Sequence, residues 1–252
     1  MEGEKFMKNR TKIIVASIFI SGLLLGGLGC SFNNKSSKDS GNHEEITDAI
    51  KFKEEYEKLN GTIRESDGAL YNTVSIAKEN PIKYISAKEG VDIIKNKTGV
   101  IYFGAPWCPW CRNGIQVLFD VAKKKNIDTI YYIDMDKVRN IYEVKEGKLV
   151  KTQEEQEGYY ELLEALDSVL GDKTYTITSN GETYDTHEKR IYMPFVVGIR
   201  NGKIVDSHVG TVNLNEDQTK YSALTTEQYD ELYARYENLF AQTFVSCNDN
   251  KC

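Results

Sequence analysis

Histidine is scarce in this chain: three in 252 residues, His43, His187 and His208, far from one another and from the cysteines. No ligand-like spacing links them, so a histidine-built metal centre has no support. Basic residues are also in deficit, 32 against 38 acidic, and no basic stretch is interleaved with aromatics. That balance argues against nucleic acid as a partner. Only five cysteines occur, and none is left over: Cys30 stands alone, Cys108 and Cys111 form one close pair, and Cys247 and Cys252 form another. What remains is a composition of globular type, 28% charged and 40% hydrophobic, in a length that suits one domain with additions or two small ones.

The informative stretch runs Val100-Ile101-Tyr102-Phe103-Gly104-Ala105-Pro106-Trp107-Cys108-Pro109-Trp110-Cys111-Arg112. An apolar run of strand type leads into two cysteines separated by two residues, after which the pattern turns helical. Proline suits a first helical position because it has no N–H to leave unpaired. A helix opening at Pro109 puts Cys108 at its N-terminal end and Cys111 one turn along, close enough to bridge. A Cys108 thiolate there faces unpaired backbone N–H groups and the positive end of the helix dipole. This arrangement makes Cys108 the nucleophile and Cys111 the resolving thiol in thiol–disulfide exchange. Half of a zinc site is the alternative; it needs two further ligands, and the only other close cysteine pair lies at the extreme C-terminus.

Apolar spacing predicts a helix from Ile46 to Leu59, ended by Asn60-Gly61. Residues 62–80 are ambiguous, with a short strand around Tyr71–Ile76. Ile82–Ile85 reads as a strand, and Ser86-Ala87-Lys88-Glu89 as a capping box opening a helix to about Lys97. Val100–Phe103 is the next strand, the helix from Pro109 extends to about Lys125, and Thr129–Ile133 follows as a strand. Thr152-Gln153-Glu154-Glu155 can cap a helix whose face is Tyr159, Leu162, Leu163, Leu166, Val169 and Leu170, with Gly171 to stop it. Thr174–Thr178 and Glu182–Thr186 flank Asn180-Gly181 as a hairpin, and Phe195–Arg200 and Lys203–Val209 flank Asn201-Gly202 as another. Thr225–Gln228 caps a last helix with Leu232, Tyr236, Leu239 and Phe240 on one face.

At the motif and in this order of elements the chain resembles the thioredoxin superfamily, over about residues 81–245. The resemblance implies an α/β, thioredoxin-like three-layer fold with a mixed central sheet. To it are added an N-terminal helical extension at 46–80 and an inserted helix-plus-hairpin region at about 137–190. It implies a thiol–disulfide oxidoreductase working through the redox-active Cys108–Cys111 disulfide, with no other cofactor and no metal. In relatives the proline opening the later strand is cis and packs against the cysteines, and the residue before it pairs with substrate backbone; Pro194 and Met193 take these places. Trp107, Pro109, Trp110 and Met193 then form the substrate contact. Pro109-Trp110 matches glutaredoxin-like Cys-Pro-aromatic-Cys sites, whereas Ala105-Pro106-Trp107 is thioredoxin-like. Tyr102 stands where thioredoxins keep a buried acid, and the dipeptide lacks the histidine of strong periplasmic oxidants, so an intermediate potential is expected. The direction of transfer stays open.

Lys5, Lys8, Arg10 and Lys12 precede an uncharged run from Ile13 to Gly29, the pattern of a secretory signal over residues 1–29. Gly27-Leu28-Gly29-Cys30 resembles the lipobox of bacterial lipoproteins, which implies lipidation of Cys30, although Gly27 departs from the usual aliphatic residue. An uncleaved anchor of 17 residues is the alternative. Either puts the chain outside the cytoplasm, attached to a bacterial membrane, with 30–45 as a disordered tether. Without residues 1–29, which hold four basic and two acidic residues, the net charge moves from −6 to −8. Cys247 and Cys252, in the tail at 246–252, form a small structural disulfide in such a compartment, with a second relaying redox centre as the alternative. Lipoprotein thioredoxins and bacteriocin-transport accessory proteins of Gram-positive bacteria are similar in layout. The clients are then exported protein thiols and disulfides, with an unnamed membrane redox partner. A non-catalytic binding accessory of a secretion or bacteriocin-transport system is the competing reading.

Overall fold

The computed structural model describes residues 46–65 and 67–245. The expectations for the signal, the tether and Cys30, and for Cys247 with Cys252, lie outside the described residues.

The first helix, α1 (Asp48–Glu57), is capped by Thr47, whose hydroxyl accepts from Ile50 N–H, and it carries Phe52 and Tyr56 into the core. After it the chain forms no strand at 71–76, contrary to expectation; its only ladder contact is a bridge between Ile63 and Leu70. Side chains hold this segment instead. Asn60 accepts from Val74 N–H and donates to Val74 C=O, Glu57 accepts from Ile76 N–H, and Lys53 donates to Ile76 C=O. Backbone groups satisfied in this way have no need of a neighbouring strand.

Five strands form the central sheet: β1 (Ile82–Tyr84), β2 (Gly99–Gly104), β3 (Ile130–Asp134), β8 (Phe195–Arg200) and β9 (Lys203–Val209). Their order is β1-β3-β2-β8-β9, with β1, β3 and β2 parallel and β8 and β9 antiparallel to their neighbours. Between these strands run α2 (Ala87–Asn96), opened by the Ser86–Glu89 capping box, and α3 (Pro109–Lys124). The last helix, α7 (Thr226–Thr243), opens with a capping box between Thr225 and Gln228. Strand β2 is buried on both faces, which explains its unbroken apolar sequence. Val100 and Tyr102 face α1, α3 and α7, while Ile101 and Phe103 face α2 and the helix at Tyr159–Ala165 in the insertion. Helix α7 crosses β8 at Gly198, where a Cβ would collide with Thr243 and Leu239.

The insertion is richer than one helix and one hairpin. It holds α4 (Met135–Val138), a hairpin of β4 (Ile141–Lys145) and β5 (Lys148–Gln153), helices α5 (Tyr159–Ala165) and α6 (Asp167–Leu170), and a hairpin of β6 (Thr176–Ser179) and β7 (Glu182–Asp185). Helix formation therefore starts at Gly158 rather than at Thr152-Gln153-Glu154-Glu155, because Thr152 and Gln153 belong to β5. Glu146 and Gly147, both at positive φ, make the β4–β5 turn, as Asn180-Gly181 and Asn201-Gly202 make the others.

Candidate active site

The sheet delivers its central strand to the start of α3. Cys108 is the residue before the first helical turn, with extended backbone (φ −72°, ψ 119°), and Pro109 occupies the first helical position. Cys111, one turn on, is carried inward: Cys108 is 4% exposed and Cys111 not at all. Both are free thiols in this structure. The Cys111 side chain, together with the backbone N–H groups of Cys111 and Trp110, holds the Cys108 thiol below its ordinary pKa against the opposing effect of burial, and the Arg139 guanidinium adds to the effect. Burial pushes the Cys111 thiol up, and the neighbouring Cys108 pushes the same way. One thiol is thus set to ionise, and the other to stay protonated until its neighbour has reacted.

The Met193–Pro194 peptide bond is cis, and Cys108 Sγ lies 3.6 Å from the Met193 carbonyl oxygen. Pro194 is buried and Met193 partly so, and the Pro194 carbonyl accepts from Gly210 N–H at 2.7 Å, which ties the loop to β9. Trp107 and Trp110 are both partly exposed beside Cys108. The Trp107 indole N–H donates to both oxygens of Asp136 at 2.6 Å. Trp110 and Met193 open onto a groove of about 550 Å³ bordered by Tyr192, Val209 and Thr211. The sites expected at Cys108, Pro109, Trp110, Cys111, Trp107, Met193 and Pro194 therefore meet at one place. Among the described residues, no group of three or more His, Cys, Asp or Glu side chains is arranged to hold a metal ion.

Arg112, Arg64, Tyr56 and Arg139 carried no signal that sequence alone could rank, whereas the place of Tyr102 was already marked in the sequence. Arg112 is 3% exposed and has no carboxylate; its guanidinium donates to the carbonyls of Asn72, Tyr56 and Pro106 and to the Asn60 side chain at 2.6–3.0 Å. It therefore joins the extension to the loop before Cys108. Arg64 adds a hydrogen bond to the Trp107 carbonyl at 2.7 Å. Behind Cys111, the fully buried hydroxyls of Tyr56 and Tyr102 lie 3.1 Å apart. The Tyr102 hydroxyl also acts on the Cys111 thiol and draws its pKa down, though not enough to offset burial. Burial keeps both phenols well above their ordinary pKa, so they can donate to a thiolate but cannot take its proton. The fourth, Arg139, stands over the Trp107 ring at 5.8 Å.

No family model and no curated protein matches this sequence. Among solved structures the chain is similar to thioredoxin O2 from Arabidopsis thaliana in the oxidized state, at 17% identity over 53% of this chain and 85% of that one, with a TM-score of 0.29. By its strand order and helix placement, the fold is thioredoxin-like. This scaffold sets the paired cysteines and the cis proline against each other at the mouth of a groove.

Proposed function

We propose that the chain is a thiol–disulfide oxidoreductase acting on protein thiols and disulfides. The observation that carries this reading is the pair of unequal thiols at the start of α3, with Cys108 facing the carbonyl that precedes cis-Pro194. In the reducing direction the Cys108 thiolate attacks one sulfur of a client disulfide, and the other client sulfur leaves as a thiolate. A mixed disulfide now joins Cys108 to the client. Cys111 gives up its proton, to water or to the departing client thiolate, and attacks the Cys108 sulfur. The client's second sulfur leaves, the client has gained two electrons, and Cys108 and Cys111 are bridged. The oxidising direction is the same path reversed. Tyr102 assists the second attack by donating to the Cys111 thiolate.

The N-terminal sequence supports action at the outer face of a bacterial membrane, with Cys30 as the lipid attachment point. Among the described residues no helix is long and apolar enough to cross a membrane. Exported proteins are then the clients.

The test is a trap. Cys111→Ala in the native membrane is expected to accumulate Cys108-linked mixed disulfides that a reductant dissolves, and Cys108→Ala to accumulate none. If Cys111→Ala traps nothing where a known oxidoreductase trap does, the exchange reading fails and a binding role takes its place.

A further inference from the structure

Six arginines lie among the described residues, and four donate to protein oxygens. Arg64 bonds Asp67 and the Trp107 carbonyl, Arg112 has its four acceptors, Arg200 bonds the Gln242 carbonyl, and Arg235 grips Asp206 through two bonds of 2.5 and 2.6 Å. Arg139 and Arg190 differ. Among the described residues neither guanidinium has a hydrogen-bonded oxygen or an ion-paired carboxylate. Arg139 is 9% exposed, its Nε is buried without a hydrogen-bond partner, and besides resting on the Trp107 ring it is attracted by the Asp136 carboxylate without forming an ion pair with it. Arg190 is half-buried and stacks on Tyr175, with Cζ 3.9 Å from the ring centroid.

The segments that carry them are joined, since Asn140, next to Arg139, donates to Glu188, two residues before Arg190, at 2.7 Å, and the Arg190 charge repels that of Arg139. Both act on the hydroxyl of Tyr159, which is fully buried and also without a partner. Burying an unpaired cation, a second cation beside it and an orphan hydroxyl is costly unless something else completes them. The nearby carboxylates are otherwise engaged. Asp136 holds the Trp107 indole N–H, and Glu188 accepts from Asn140, Tyr142 and Tyr160. The cluster borders the reacting sulfur, since Arg139 lies 5.8 Å from the ring of Trp107, the residue before Cys108, and Arg190 stands three residues before Met193; the Arg139 charge also lowers the Cys108 pKa.

We infer that Arg139, Arg190 and the Tyr159 hydroxyl form a carboxylate-binding subsite beside Cys108, filled by an acidic side chain of the polypeptide client next to its reacting cysteine. A planar carboxylate matches the fork of a guanidinium and accepts from a hydroxyl at the same time. The arginines come from the insertion, and they put a local positive site on a chain whose net charge is −6. The preference for acidic clients rests on the oxidoreductase reading; the binding of a carboxylate does not.

Two measurements on the reduced full-length chain in nonionic detergent separate these. The first follows exchange with a short disulfide peptide carrying Glu beside its cysteine, against the same peptide carrying Gln. The second follows binding of the linear Glu and Gln peptides, with Cys replaced by Ser, through the fluorescence of Trp107 and Trp110, the protein's two tryptophans. The Glu peptides are expected to react and bind about tenfold better, and Arg190→Gln and Arg139→Gln to abolish the difference while Arg190→Lys retains part of it. Sodium acetate should compete weakly. Equal behaviour of Glu and Gln peptides with the unmodified chain overturns the inference without recourse to any variant. Saturation by acetate as tight as by the Glu peptide overturns the client assignment in favour of a free small anion. Glu-selective binding with no exchange of either peptide keeps the subsite and overturns the oxidoreductase reading.

Discussion

Cys108 precedes the first turn of α3, where backbone N–H groups are still unpartnered, whereas Cys111 has turned inward among Tyr56, Tyr102 and Tyr236. Three residues of chain thus separate a thiol that ionises early from one that ionises late. Reaction of the reduced protein with iodoacetamide, followed by mass spectrometry, is expected to modify Cys108 with a pH midpoint below about 8.5, the usual cysteine value, while Cys111 stays protected. The sign follows from the lowered Cys108 pKa, which keeps thiolate present at pH values where an ordinary cysteine is protonated. A midpoint at or above the usual value would contradict it. Tyr102→Phe tests the other sulfur. It removes one donor to the Cys111 thiolate, worth about 1 kcal/mol for a net hydrogen bond, and should slow resolution severalfold. Mixed disulfide should then build up during turnover while Cys108 alkylation is unchanged.

At the scale of elements, the extension is clamped to the active-site loop by two guanidiniums, Arg64 on the Trp107 carbonyl and Arg112 on four acceptors. Arg112→Met leaves the Asn72, Tyr56 and Pro106 carbonyls and the Asn60 side chain without their donor and is expected to cost about 3 kcal/mol. A downward shift of the urea midpoint, with faster proteolysis between residues 60 and 80, would show it; an unchanged midpoint would refute the clamp. Where two rules of local chemistry agreed, the sequence was legible. Ser86 with Glu89 and Thr225 with Gln228 announced α2 and α7, and Asn-Gly pairs announced two hairpins, because each device satisfies backbone groups within four residues. The β4–β5 hairpin went unread because its turn is Glu146-Gly147, and glutamate is a poor marker of positive φ. The segment at 71–76 misled for another reason. Its backbone partners are Asn60, Glu57, Lys53 and Arg112, as many as 40 positions away, which no local pattern records. Arg139 was unreadable on the same ground, since only the folded insertion brings it to Trp107.

For the molecule as a whole, a five-stranded sheet places its central strand, the start of α3 and the cis-Pro194 loop at one edge of the core. The order of elements along the chain and the Cys108–Cys111 motif were legible together because the βαβ unit ending in β2 leaves the chain few ways to continue, whereas the order of strands within the sheet came from the structure. The tethered, exported setting is a proposal drawn from residues 1–30 alone. The central claim is that Cys108 and Cys111 exchange electrons reversibly with thiols, and the reduction potential of this pair tests it most directly. It would be measured in a fragment beginning at residue 31, with Cys247 and Cys252 changed to serine so that no other thiol titrates. With a thiolate stabilised by backbone N–H groups but no histidine between the cysteines, the account expects a two-electron transition between about −270 and −120 mV, the thioredoxin and strong-oxidant ends of the scale. Failure of the pair to interconvert anywhere in that range would contradict it.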